Sequence, residues 1–192
     1  MDQWSILLSG SEGIGKKALA VQFTMQNFDE TYYDPTLEEG YRKQWVVDNQ
    51  TCLVYATTTV GEIENAVYNH WQSIYRADGI FLVYSISYRP SFDQLRAFWQ
   101  EIRRIRGDNI PLILLANKCD LLDHEISTTE GAALASQFGC PFLEVSAKTG
   151  LNVDRAFADF IRLLRQQKAD ATKGSDVTVR AAKGRTRSCV VL

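Results

Sequence analysis

The sequence predicts an α/β protein of three layers, in which a mostly parallel six-stranded sheet is covered by helices on both faces. Three observations predict it. A glycine-rich loop separates an apolar run from a helical pattern, two further apolar runs are nearly continuous, and helical patterns alternate with these runs along the chain. At 192 residues, 45% of them hydrophobic, the chain can bury one full core, so a single folded domain is expected.

Strands are predicted where apolar or β-branched residues run between turn signals. The first strand, residues 3–9, stops at the glycine-rich loop, and residues 41–47 and 51–57 flank a short polar turn as in a hairpin. Residues 79–87 and 110–116 are apolar almost throughout, which is typical of strands buried on both faces. Residues 141–145 are predicted to form a last short strand.

Helices are predicted from 3.6-residue periodicity and from capping residues. The first covers residues 16–26. Ser91, with Gln94 three positions later, predicts the start of a second helix. Ser127 with Glu130 repeats that pattern and predicts the start of a third.

The C-terminal region differs from the rest in composition. Residues 153–166 place apolar side chains on one helical face, but the periodicity then stops, which predicts a disordered linker over residues 168–187. From residue 168 onward there are six Lys or Arg and two Asp, whereas the whole chain has a net charge of −2. We therefore expect a domain over residues 1–167 and a flexible basic tail over residues 168–192. The acidic domain is not expected to bind nucleic acid.

Cysteine spacing and hydropathy exclude several classes of protein. The four cysteines are scattered without a metal-binding spacing, so reduced thiols are expected. No apolar run approaches the ~20 residues that cross a bilayer, and no signal-peptide pattern opens the chain.

The glycine-rich loop reads Gly-Ser-Glu-Gly-Ile-Gly-Lys-Lys over residues 10–17. Apart from its last residue it follows G-x-x-x-x-G-K-[ST], a loop that turns backbone N–H groups toward nucleotide phosphates while Lys16 reaches the terminal ones. The last position should carry a hydroxyl that binds Mg²⁺, and Lys17 cannot bind a cation. The candidate phosphate-binding residues of this loop are Gly10, Glu12, Gly13, Ile14, Gly15, Lys16, Lys17 and Ala18.

Two later motifs point to guanine as the base. Asn117-Lys118-Cys119-Asp120 and Ser146-Ala147-Lys148 each follow a predicted strand, where open α/β sheets bind ligands. The Asp120 carboxylate can accept hydrogen bonds from the N1–H and the 2-amino group of guanine, a donor pair that adenine lacks. A backbone N–H of the second motif can donate to the guanine carbonyl. GTP or GDP is therefore the expected ligand.

In this order and spacing, GxxxxGK, NKCD and SAK resemble the Ras branch of small GTPases, over residues 3–166 and a terminal Cys-Val-Val-Leu. The resemblance implies a G domain that binds GTP or GDP with Mg²⁺. It also implies that Tyr33, Thr36 and Gly61 approach the γ-phosphate, with Thr36 joining Mg²⁺. The guanine-binding residues it implies are Phe28, Asn117, Lys118, Asp120, Ser146, Ala147 and Lys148. The effector segment it implies spans residues 33–44 and includes Thr36, Leu37, Glu38, Glu39 and Tyr41.

Four positions depart from the family pattern, and all belong around the γ-phosphate and the metal. The family run Asp-Thr-Ala-Gly-Gln is here Thr58-Thr59-Val60-Gly61-Glu62. Thr58 thus replaces an aspartate that holds the hydrated metal, and Glu62 replaces the glutamine that orients the attacking water, which leaves Gly61 and Glu62 as the remnant of the catalytic run. Glu12 stands where the family usually has glycine. Lys17 either occupies the Mg²⁺ position or turns to solvent beside a decayed pocket.

Cys189 opens a terminal Cys-Val-Val-Leu that matches the C-a-a-X prenylation motif, and the final leucine favours geranylgeranylation. The basic residues before it supply the second signal that stable anchoring requires. We expect a lipid anchor at the cytoplasmic face of a membrane, and the plasma membrane is the expected one.

Three functions remain open at this point. The leading one is a monomeric, membrane-anchored GTP-binding signalling protein with slow or lost hydrolysis, which has effector proteins and an exchange factor as partners. The second is an interaction module of the same fold that works without nucleotide. The third is an ordinary cycling GTPase.

Overall fold

The computed structural model describes residues 1–26, 40–58 and 66–183, and it describes side chains within these ranges except at 66–70 and 173–183. Its strands are β1 Asp2–Ser9, β2 Tyr41–Val47, β3 Gln50–Thr58, β4 Gly79–Ser85, β5 Leu112–Asn117 and β6 Phe142–Glu144. They form one sheet in the order β2-β3-β1-β4-β5-β6. Only β2 runs antiparallel to its neighbour among these strands, so the predicted mostly parallel sheet is confirmed.

Helices cover both faces of the sheet. In the described ranges they are α1 Lys16–Met25, α2 Ala66–Arg76, α3 Arg89–Asp93, α4 Leu95–Arg106, α5 Thr128–Phe138 and α6 Val153–Lys183. On one face Phe23 of α1 stacks on Phe157 of α6, with ring centroids 3.7 Å apart. On the other face Ile74, Leu95 and Ile102 are buried in a second core cluster. The three-layer prediction is therefore confirmed. None of the described helices is long and apolar enough to cross a membrane.

The predicted hairpin of β2 and β3 is confirmed, and only two residues form its turn. Asp48 and Asn49 adopt φ angles of 51° and 60°, the left-handed pair that two-residue hairpin turns require and that these residue types tolerate. Helix α6 holds this turn. Arg162 pairs with the Asp48 carboxylate at 2.7 and 2.8 Å, and Arg165 donates to backbone carbonyls on both sides of the turn.

The two helix starts predicted from a serine followed three residues later by Gln or Glu have opposite outcomes in their capping contacts. At α5 the Ser127 hydroxyl accepts from the Glu130 N–H while the Glu130 carboxylate accepts from the Ser127 N–H, so this prediction is confirmed. At Ser91 and Gln94 the predicted helical segment is confirmed as α3 and α4, but the capping contact is wrong. The Ser91 hydroxyl is buried and instead accepts from the Ser85 N–H at 3.1 Å, and Gln94 lies between α3 and α4. Because β4 ends here with an N–H to satisfy, the tertiary contact takes precedence over the local cap.

Helix α6 is longer than the sequence pattern predicts. We expected it to end at residue 166 and a linker to follow, but the helix continues to Lys183. Hydrophobic periodicity reports only a buried face, whereas residues 166–169 are Gln-Gln-Lys-Ala, whose intrinsic propensity sustains a helix without one. The poor helix formers at residues 174–179 leave the rest of the extension without an explanation from propensity. The linker prediction is therefore wrong up to this residue, and residues 184–192 lie outside the described ranges. The division of the chain at residue 167 stays a prediction.

Candidate functional site

The three motifs lie at one edge of the sheet. Residues 10–15 connect β1 to α1, Asn117 ends β5, and Ser146 follows β6 by two residues. Because β1, β4, β5 and β6 are parallel neighbours, their carboxyl ends meet at this edge. The structure therefore brings the phosphate loop and both base-selecting motifs into one region.

Two glycines of the loop have no room for a side chain. A Cβ at Gly10 would lie 2.2 Å from the Val83 carbonyl oxygen, and a Cβ at Gly15 would lie 2.5 Å from the Asn117 Nδ2 atom. Gly15 also has a φ of 91°, in the left-handed region that favours glycine. The loop can thus pass close under β4 and against Asn117, and it delivers the chain directly into the N-terminus of α1.

The Lys16 side chain is buried within the loop. Only 8% of the residue is exposed, and its Nζ donates to the Gly10 and Ser11 carbonyl oxygens at 2.8 and 2.6 Å. Burial lowers the pKa of this ammonium to about 8, and the nearby Glu12 carboxylate offsets part of that effect. The cation is therefore held at the loop, where phosphate oxygens could replace its carbonyl partners.

Asn117 joins the three motifs through one buried side chain. Its Nδ2 donates to the Ile14 carbonyl oxygen at 2.8 Å, and its Oδ1 accepts from the Ala147 N–H at 3.1 Å. Beside it the Lys118 Nζ donates to the Gly13 carbonyl oxygen at 3.0 Å. The base-selecting loops are thus fixed directly to the phosphate loop, as a site for a whole nucleotide requires.

The Asp120 carboxylate is oriented by the third motif. The Ser146 hydroxyl donates to its Oδ1 at 2.6 Å and in turn accepts from the Thr149 N–H at 3.1 Å. Asp120 remains half-exposed, so its carboxylate can still accept hydrogen bonds from a ligand. A bound base would share the Ala147 N–H with Asn117. Lys148 is exposed at the rim.

Sequence reasoning missed a link between the loop and α4. The Ser11 hydroxyl donates to the Gln94 Oε1 atom at 2.7 Å, across 83 positions in the chain. No local pattern could have revealed it, since Gln94 was assigned to a cap. This contact connects the phosphate loop to the start of α4, which packs beside α2.

Many of the predicted site residues lie outside the described ranges. These are Phe28, Tyr33, Thr36, Leu37, Glu38, Glu39, Gly61, Glu62 and Cys189. Tyr41, the remaining effector candidate, begins β2 and is 7% exposed, so this part of the segment offers a strand edge rather than a free ring.

One cavity of the described ranges lies away from the three motifs. It measures about 640 Å³ and lies at the opposite edge of the sheet, where Pro111 and Pro141 precede β5 and β6. None of the motif residues lines it. We therefore assign the ligand site from the chemistry of the loops and not from cavity size.

A glycine-rich loop that runs into a helix N-terminus, fixed to polar motifs on neighbouring strands, defines a phosphate-loop nucleotide-binding protein. A model of the Ras family matches residues 5–166. The chain is 39% identical over 191 residues to a protein named "Ras-like protein 1" from Pyricularia oryzae, covering 88% of this chain and 78% of that one. It is 38% identical over 181 residues to a "Ras-like protein" from Laccaria bicolor, covering 93% of this chain and 86% of that one.

This chain belongs to the Ras family, whose members are GTP-binding signalling proteins.

Proposed function

We propose that the chain is a monomeric, membrane-anchored guanine-nucleotide switch whose GTP hydrolysis is slow or lost, so that its GTP-bound state persists. The observation that carries the nucleotide part is the side chain of Asn117, which bonds the phosphate loop on one side and the Ser146-Ala147-Lys148 motif on the other. A module that works without nucleotide would have no use for this connection or for a carboxylate held by Ser146.

The loss of hydrolysis follows from the residues around the γ-phosphate. Glu62 replaces the glutamine that orients water in the family, and Glu12 adds a carboxylate where the transition state is already anionic. An arginine finger is worth about 10³–10⁵ in rate, and it would have to approach past Glu12. Both changes disfavour the chemical step more than they disfavour nucleotide binding.

Base selection is tested by replacing one residue. Asp120→Asn replaces a carboxylate, which accepts hydrogen bonds, with an amide whose NH₂ group donates. The 2-amino group of guanine then loses its acceptor. Xanthine has a carbonyl in place of that amino group, and this carbonyl gains a donor. We expect GTP affinity to fall about 100-fold and XTP affinity to rise, since hydrogen bonds to a charged group contribute about 1.5–3 kcal/mol each. Equal binding of GTP and ATP by the unaltered chain would contradict the assignment of guanine.

Hydrolysis is tested by single turnover of GTP-loaded protein. We expect a rate below the family's intrinsic value of about 3–5 × 10⁻⁴ s⁻¹, without acceleration by a GTPase-activating protein. The matched variant, Glu12→Gly with Glu62→Gln, should hydrolyse faster. Acceleration of the unaltered chain would instead identify an ordinary cycling GTPase, and a folded chain that binds no nucleotide would identify an interaction module.

The effector segment indicates the protein partners, and the C-terminal tail indicates the location in the cell. In the described ranges β2 is an edge strand, so residues 41–44 of the effector segment can present backbone groups to an effector protein. A separate partner, an exchange factor, would load the chain with GTP. The prenylated Cys189 and the basic tail would hold the chain at the cytoplasmic face of the plasma membrane. Cys189→Ser should move it to the soluble fraction, and unchanged membrane recovery would contradict the anchor.

A further inference from the structure

The donor set around the phosphate loop does not fit Mg²⁺. Lys17 is the second residue of α1, and Thr58 ends β3 in register with Leu8, two residues before Gly10. These are the positions at which the family provides a hydroxyl and an aspartate for the metal. A hard cation that needs oxygen ligands is therefore poorly served here.

The two substitutions nevertheless compensate each other in charge. In the family pattern a lysine, Mg²⁺ and an aspartate together give the phosphate site a formal charge of +2. Lys16, Lys17 and the neutral Thr58 give the same +2 without a metal. Glu12, which is exposed beside the same phosphates, lowers this formal charge to +1.

The location of both lysines favours an electrostatic role. Lys16 is buried against the loop carbonyls, and Lys17 is half-buried in the first turn of α1, where the N-terminal end of the helix already attracts anions. Partial burial lowers the effective dielectric constant, so a unit charge here acts more strongly on phosphate than one in bulk water. An ammonium at this position can thus take over the neutralising task that the family assigns to a metal.

We propose that the Lys17 ammonium replaces Mg²⁺ as the counter-charge of the bound phosphates, so that nucleotide is retained without a divalent cation. The proposal rests on the proposed function, because guanine nucleotide must bind for the question to arise. It gives the chain a property that its family pattern does not predict: chelation or loss of magnesium would not release its nucleotide.

The test is the dissociation rate of a fluorescent GDP or GTP analogue from the purified full chain, measured with Mg²⁺ and with EDTA. We expect the two rates to agree within about twofold, since no ligand shell is lost. In Lys17→Ser with Thr58→Asp, EDTA should accelerate release by about tenfold or more, because binding then depends on the metal. The matched control Lys17→Met keeps the length of the side chain without its charge and should release nucleotide faster under both conditions.

Release of nucleotide from the unaltered chain by EDTA, tenfold or more, would overturn the proposal while leaving the proposed function intact. Failure to bind guanine nucleotide even with Mg²⁺ would instead refute the proposed function. If the double variant does not fold, a Mn²⁺ titration of the unaltered GDP complex followed by electron paramagnetic resonance replaces it. A tight site at one Mn²⁺ per chain would contradict the proposal, and the absence of such a site would support it.

Discussion

Raising the pH from 7 to 8.5 is expected to weaken nucleotide binding about fourfold, because the Lys16 ammonium must be charged to bind phosphate. In the empty protein burial lowers the pKa of this group to about 8. It is then roughly 90% protonated at pH 7 and about a quarter protonated at pH 8.5. Bound phosphates add negative charge around the ammonium and raise its pKa, so the complex takes up a proton that the empty site has lost. Affinity therefore falls as the pH rises through 8.

Titration calorimetry in two buffers of different ionisation enthalpy measures both the affinity and the proton uptake. Near pH 8 we expect about half a proton to be taken up per nucleotide bound. The range stops at pH 8.5 so that the guanine N1 keeps its proton. Equal affinities at pH 7 and 8.5, with no proton uptake, would refute the reasoning about Lys16.

The same pKa predicts the opposite trend for the stability of the empty domain. Its folded value of about 8 lies below the ordinary value of 10.5, so between these values the unfolded chain binds more protons than the folded one. The free energy of unfolding should therefore rise with pH, by about 1 kcal/mol from pH 7 to 9. Urea denaturation of nucleotide-free protein measures it. Lys16→Met should lack this increment, and an identical pH profile in that variant would contradict the assignment.

Three substitutions test the packing around the site. Gly15→Ala would place a Cβ 2.5 Å from the Asn117 Nδ2 atom, so we expect guanine-nucleotide retention on gel filtration to fall about tenfold or more, and normal retention would contradict the geometry. Arg165→Ala removes a side chain that is 17% exposed and bonds Asp2 and two turn carbonyls, and it should lower the free energy of unfolding in urea by about 2 kcal/mol. A loss below about 0.5 kcal/mol would mean that water replaces these bonds. Ser9→Ala removes a buried hydroxyl that has no hydrogen-bond partner in the described ranges, and stability should stay level or rise by up to about 1 kcal/mol. A clear loss of thermal stability would show that this hydroxyl is bonded.

The sequence predicts an element well when its cause is local. The hairpin turn at Asp48 and Asn49 needs only residues that tolerate a left-handed backbone, and the cap at Ser127 and Glu130 uses atoms three residues apart. The same Ser-x-x-Gln pattern at Ser91 is misleading, because that hydroxyl satisfies the end of β4 instead. Local patterns do not reveal which partner a side chain will find in the folded protein.

The candidate site divides in the same way. The glycines of the phosphate loop and the Asp120 carboxylate were predicted from the chemistry of a nucleotide, and the structure places them at one edge of the sheet. The bond from Ser11 to Gln94 joins segments that are distant in the chain, and the burial of Lys16 depends on how the folded loop wraps its ammonium. Neither the contact nor the lowered pKa leaves a signal in a single sequence, although both affect how the loop would receive phosphate.

The most direct test of the central claim is to measure nucleotide and magnesium in the same sample of purified full-length protein, by chromatography of the released nucleotide and by elemental analysis. We predict about one GTP per chain and far less than one magnesium, because the proposed loss of hydrolysis would preserve GTP and the proposed counter-charge of Lys17 would replace the metal. GDP with one magnesium per chain would contradict both parts and return the protein to the ordinary GTPase cycle.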